Sequence, residues 1–195
     1  MIVEHERGGG MERKDVIADA GIRLVAREGV HALTHRRVDV EAGLPAGSTS
    51  YYARTRRELV ALVAARLSDG SAGDLDHLVI PDVLTPAEAG CILAGVARGM
   101  AGRGDAQAAR FLLMLEVRDD LELRDLLTPA AAVRSQVTDL AARLLAALGV
   151  PEGVRDVPAS QLVVLVDALL MYDTSHAEPV DLETTLTAYL RGIIG

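Results

Sequence analysis

The stretch Thr34–Tyr52 constrains this chain most, because it holds two helical segments that are each too short to stand alone. Thr34 stands where an N-cap is wanted, ahead of a short segment reaching Ala42. Gly43-Leu44-Pro45 then makes a turn, and a second short segment runs from Ala46 to about Ala53. Isolated helices shorter than about 12 residues are marginal in water, so both segments need longer neighbours to brace them. From Arg13 to Glu28 the residues Val16, Ile17, Ala20, Leu24 and Val25 fall in one stripe at helical spacing, and Gly29 stops that helix. After Arg54-Thr55 a longer helix carries Leu59, Leu62, Val63 and Leu67 on its inner face. Two short helices around a glycine-bearing turn, held between longer ones, make a helix-turn-helix unit.

The remainder continues the helical pattern. Thr85-Pro86-Ala87-Glu88 is a start signal, with a capping threonine and proline at the first helical position, for a helix ending near Gly102. Asp105 to Arg118 follows, then a short piece to Leu127, and Thr128-Pro129 restarts a helix running to Leu148. Pro158 to His176 is apolar almost all round, the pattern of a helix buried on several sides. Asp181 to Ile194 closes the chain with Leu182, Leu186, Tyr189, Leu190 and Ile193 as its stripe. Aromatic residues make up only 3 % of the chain, so the core must come from Leu, Val, Ala and Met, which fill helices more often than sheets. The expectation is an all-α protein of about nine helices. Ser68 to Asp76 is rich in Ser, Gly and Asp and marks a boundary between a head over residues 11–67 and a body over 77–195. The opening ten residues are polar and Gly-rich and read as a leader, with Met11 as an alternative start.

The net charge of −8 argues against nucleic acid until its distribution is examined. Residues 1–67 carry eleven Lys/Arg against nine Asp/Glu, whereas 68–195 carry nine Arg against nineteen acids. A basic patch on an acidic body suits a head that faces DNA, because the acidic remainder discourages adsorption elsewhere. The single cysteine, Cys91, excludes an intrachain disulfide and a Cys-rich zinc site. The longest apolar run, Leu162 to Tyr172, is interrupted by Asp167, so no span of a bilayer is expected and the chain reads as cytoplasmic. Neither a nucleophile elbow, a P-loop nor a His-Glu-x-x-His pair occurs, and no catalytic residue, metal site or cofactor is expected. His31 and His35 straddle a helix start and do not suit a shared metal. Asp119, Asp120, Glu122 and Asp125 read as a solvated turn and helix face.

A helix-turn-helix places its second helix in the major groove, with N-terminal residues against base edges. Here that helix begins Ala46-Gly47-Ser48-Thr49, small enough for close approach and with hydroxyls for bases or phosphates. Tyr51 and Tyr52 add hydroxyls that reach the DNA backbone, with a packing role for at least one of them. Arg36, Arg37, Arg54, Arg56 and Arg57 flank the two helices as phosphate partners. This block resembles the tetracycline-repressor (TetR) family of bacterial regulators over roughly residues 13–67. The resemblance rests on the leading helix, Gly-x-x-x-Leu-Thr, Ala-Gly-Leu-Pro-x-Gly-Ser-Thr, the paired tyrosines and the Arg and Leu that follow. It implies that Arg36 and Ser48 lie on base- or phosphate-contacting positions, that Tyr51 and Tyr52 join the contact cluster, and that Arg56 replaces a phosphate-binding lysine. Thr34, Arg37, Ala46, Gly47 and Thr49 complete the DNA-binding candidates. Three residues depart from the family pattern: Asp39 stands where alanine is usual, Ser50 where many members have tyrosine, and Ala53 where many have phenylalanine.

The resemblance further implies an effector-binding and dimerisation body, with the last two long helices pairing with their symmetry mates in a homodimer. Such a dimer would read an inverted repeat in double-stranded DNA, most simply as a repressor released by a small effector. Candidate pocket residues are Cys91, Arg110, Met114, Arg118, Met171, Tyr172 and His176. The methionines equally suit core filling, and Arg110 and Arg118 equally suit ion pairs with Asp119 or Glu122. The scarcity of rings argues against a pocket that stacks flat cations. The alternative is an all-α enzyme or scaffold without DNA binding, for which Asp167 and Asp173 would be the first residues to test.

Overall fold

The computed structural model describes residues 5–73, 78–127, 131–175 and 180–194, and every regular element among them is helical. Ten α-helices follow one another: α1 (His5–Glu28), α2 (His35–Glu41), α3 (Ser48–Tyr52), α4 (Arg56–Gly73), α5 (Pro86–Ala101), α6 (Gly104–Glu116), α7 (Leu121–Leu127), α8 (Ala131–Ala147), α9 (Asp156–Thr174) and α10 (Leu182–Ile194). Short 3-10 turns lie at Val30–Ala32 and Glu152–Val154. The all-α expectation holds. The tenth helix is α7, the short piece before Thr128-Pro129, which itself lies outside the described residues.

Two boundaries differ from the sequence reading. Helix α1 begins at His5, ahead of the expected start at Arg13, and α4 continues to Gly73 through the stretch expected to be a linker. Lengthening an existing helix requires far less than nucleating one, so neighbouring residues of poor propensity are carried along. The rest of that linker, 74–76, lies outside the described residues, as do residues 1–4 of the expected leader.

By packing, the chain divides into two compact units, one of residues 1–70 with 108–130 and one of 71–107 with 131–195. In the first, α1 packs on α2, and α2 on α3. Its buried side chains include Leu33, Val38 and, from the two expected stripes, Ile17, Ala20, Leu24, Val25, Leu59, Val63 and Leu67; Val16 is exposed and Leu62 only half-buried. Arg66 of α4 grips Asp19 of α1 through two hydrogen bonds of 2.8 and 3.2 Å.

In the second unit, α5 starts with the full capping box: the Glu88 amide donates to the Thr85 hydroxyl and the Thr85 amide to the Glu88 carboxylate. Helix α10 packs mainly on α5, and α9 packs on α8 and α5. Leu93, Leu144, Leu145, Leu162, Leu186 and Leu190 form the middle of this core. The last two helices differ in how the chain covers them. The stripe of α10 is turned inward, with Leu186 and Leu190 fully buried, because α5 offers it an apolar face within the same chain. Helix α9, expected to be buried on several sides, is not: only Ala159, Leu162 and Leu170 are fully enclosed, because α5 and α8 cover one side alone. Val157, Val164, Met171 and Tyr172 stay exposed. With 19 residues, α9 is by length and composition apolar enough to cross a membrane, Asp167 notwithstanding, and only 17 % of it is buried within the chain.

Candidate nucleic-acid interface

Helix α2 ends as its sequence requires. Leu44 N–H donates to Asp39 C=O at 2.8 Å and Gly43 N–H to Val40 C=O at 3.2 Å, the paired bonds of a Schellman ending. Gly43 supplies the positive φ of 65° that this ending needs. The chain then re-enters a helix at Gly47, whose φ of 90° is left-handed and disfavours any side chain. Helix α3 is five residues long, and its faces are sharply divided: Thr49 and the following Ala53 are buried, while Ala46, Gly47, Ser50 and Tyr51 are exposed.

What holds so short a helix is α2. The Asp39 carboxylate, 3 % exposed, accepts the Gly47 amide through Oδ2 and the Thr49 amide through Oδ1, both at 2.7 Å. Burial pushes this carboxyl up, but the hydrogen bonds from Thr49 and Gly47, with His35 nearby, outweigh burial and hold it below the ordinary aspartate range. At the other end of α3, His35 Nε2 donates to the Ala53 carbonyl at 2.7 Å. Neither residue was among the sequence-derived site residues. The signal was available for Asp39: an acid inside the apolar stripe of α2 must find donors, and the unsatisfied amides of the next helix start are the nearest.

The expected contact residues are placed as follows. Thr34 sits at the N-cap of α2 in extended geometry, but its hydroxyl makes no capping bond and is exposed. Ser48 donates its hydroxyl to Pro45 C=O at 2.7 Å. Tyr51 is 80 % exposed, and its ring meets the half-buried Tyr52 edge-on at 5.1 Å, which gives Tyr52 the packing role expected of one of the pair. Arg36 is exposed and makes no ion pair among the described residues. Arg37 is bound to Glu28, while Arg23 and Arg27 of α1 converge on Glu41 at 2.9 and 2.5 Å and lower its carboxyl from the ordinary range. Arg56 donates to the Leu33 and Val30 carbonyls at 2.9 and 3.1 Å and lies 3.7 Å from Glu116. Arg57 is held by Asp120 at 2.8 Å and Glu122 at 2.5 Å, so two acids of the cluster pair with the start of α4, while Asp119, Glu122 and Asp125 stay solvated as expected. The Asp120 carboxyl is lowered first by its hydrogen bond with Arg57. Thr34, Arg36, Arg37 and Val40 border an open groove of about 520 Å³ between α1 and α2.

The candidate effector residues do not share one unit. Arg110, Met114 and Arg118 belong to the first, and Cys91, Met171 and Tyr172 to the second, while His176 lies outside the described residues. The Arg110 guanidinium, largely buried, stacks 4.4 Å from the Phe111 ring centre. Arg118 reaches Asp119 at 3.6 Å, Met114 is half-buried, and Cys91, Met171 and Tyr172 are exposed. Among the described residues no group of His, Cys, Asp or Glu is arranged to hold a metal ion.

Short crossed helices joined by a glycine turn, with an outward-facing second helix, define a helix-turn-helix protein. Residues 84–195 match the family model described as the tetracyclin repressor-like C-terminal domain. The chain belongs to the TetR family of transcriptional regulators. Solved structures agree across nearly the whole length. A TetR-family member from Streptomyces coelicolor shares 26 % identity at a TM-score of 0.68, covering 94 % of this chain and 99 % of that one. The multidrug binding protein EbrR, complexed with proflavin, shares 26 % identity at a TM-score of 0.62, covering 93 % and 99 %. A transcriptional regulator from Rhodococcus shares the fold at a TM-score of 0.72 with 18 % identity, covering 93 % and 95 %. Among curated proteins none matches the chain. Regulators of this family are in general transcription factors rather than enzymes, and their fold goes with binding of DNA and of small molecules.

Proposed function

We propose that this protein is a cytoplasmic, homodimeric repressor that is released from an inverted-repeat operator by a small-molecule effector. The observation that carries this reading is the outward face of α3 and of the turn before it: Ala46, Gly47, Ser50 and Tyr51 are exposed while Thr49 and Ala53 anchor the inner side. Residues 11–67 act as the DNA-binding head in this reading, and 77–195 as the effector and dimerisation body. Arg36 and Thr34 contact phosphate, Ser48 and Tyr51 approach the groove, and Arg37 and Arg56 exchange their present partners for DNA. A second copy covers the exposed side of α9, where Val157, Val164 and Met171 follow one another along the helix.

EbrR is a multidrug binding protein that takes up proflavin. The effector of this chain is taken to be a small, largely apolar molecule, with Arg110 and Met114 of the first unit as the contacts to test one at a time. The decisive experiment is retardation of the DNA upstream of the protein's own gene, with and without candidate metabolites and with proflavin. A discrete complex that dissolves on adding one compound is the expected result. Failure to retard any duplex at low salt would favour the all-α enzyme or scaffold alternative.

A further inference from the structure

A helix of five residues has too few internal hydrogen bonds to hold its own direction, and base reading tolerates little error in that direction. Helix α3 is anchored at both ends by one neighbour. At its start the Asp39 carboxylate accepts two amides, of Gly47 and Thr49, at 2.7 Å each. At its end His35 Nε2 donates to the Ala53 carbonyl, also at 2.7 Å. His35 and Asp39 lie four residues apart on α2, one turn of helix, so they project from the same face. Their spacing along α2 matches the two ends of α3.

The pair also changes what the start of α3 offers to DNA. Amides at a helix start commonly bind phosphate, but here those of Gly47 and Thr49 point at Asp39, that of Ser48 donates to Pro45 C=O at 3.1 Å, and the Ser48 hydroxyl donates to the same carbonyl. A buried negative charge also stands behind the positive end of the helix. The start of α3 is therefore a poor phosphate site, and discrimination falls to outward side chains whose direction α2 controls.

We propose that Asp39 and His35 are positioning residues for sequence recognition: together they set the direction of α3, and so decide which bases Ser48, Ser50 and Tyr51 meet, without touching DNA themselves. This inference rests on the DNA-binding reading above and deepens it. It also accounts for the acid at position 39, where the family commonly has alanine.

The test starts from duplexes selected out of a random pool by the full-length wild-type protein. Affinity for a selected duplex and for a random duplex of equal length is then measured at one salt concentration for wild type, Asp39→Asn, Asp39→Ala and His35→Ala. The expected result is a fall of about tenfold or more in the ratio of selected to random binding for Asp39→Ala, in line with the loss of a helix cap. Asp39→Asn, which keeps the volume and one acceptor, should fall in between and bind random duplex as well as wild type or better, because a negative charge has gone. His35→Ala should lower the same ratio and shift the sequences it selects for itself. Should Asp39→Ala lose its helical circular dichroism, Asp39→Asn and His35→Ala decide the matter. Unchanged ratios in those variants, or an equal loss on both duplexes, would overturn the proposal. A wild-type protein that selects no sequence would instead sink the DNA-binding reading itself, so the two failures are distinguishable.

Discussion

At the scale of single residues, the head's positive charge is mostly committed inside the protein. Of the arginines between 34 and 57, Arg37, Arg56 and Arg57 each face a carboxylate, and among the described residues Arg36 and Arg54 have none. Arg36→Ala is therefore expected to weaken binding to all duplexes alike and to lower the slope of log affinity against log salt by about one unit. Arg37→Ala should lower it less, since Glu28 already neutralises that side chain; affinities at several salt concentrations check both. The residue count of the head could not make this distinction, because an ion pair depends on a partner far along the chain. Asp39 has a pH signature with a definite sign. Its folded carboxyl lies below the ordinary range, so its contribution is complete above the ordinary aspartate value of about 3.9 and is lost as pH falls through the lowered value. Thermal unfolding from pH 7 to pH 3 should show wild type ahead of Asp39→Asn at neutral pH, with the gap closing on acidification. A constant gap would contradict this.

At the scale of helices, local pattern and tertiary packing decided different things. The capping box at Thr85 and the glycines at the turn of the head are local, and they are realised as the sequence implies. Which side of a helix is covered is not local. Helix α10 meets α5 so closely that a Cβ on Gly90 would lie 2.1 Å from Thr187 Oγ1, a contact only a glycine permits without rearrangement. Its stripe is thus intramolecular core. Leu186→Ala, at a fully buried position, is expected to destabilise the protein by about 2–5 kcal/mol, measurable as a lower urea midpoint at unchanged slope. A loss below 1 kcal/mol would mean that α10 is held by something other than this core.

At the scale of the whole molecule, one apolar side of α9 is left uncovered by the described residues. Val164 is 67 % exposed and Met171 50 %, on a helix of which only Ala159, Leu162 and Leu170 are fully buried. In the proposed homodimer a second copy covers that side and doubles the reading heads. Val164→Asp is accordingly expected to shift the protein toward monomer in sedimentation at micromolar concentration, and to weaken retardation of a two-fold duplex more than that of a half-site. A wild-type chain that sediments as a strict monomer would contradict the dimer.

By itself the sequence determined the succession of helices, the glycine turn of the head and the family these define, because helical period, capping and left-handed glycines act within a few residues. The tertiary structure alone decided that Asp39 and His35 hold α3, that Asp120 and Glu122 grip Arg57, and that the stripe of α10 packs on α5 while one side of α9 stays exposed. Each of these depends on which surfaces meet across long stretches of chain. A carboxylate or an apolar stripe carries no mark of which partner will satisfy it.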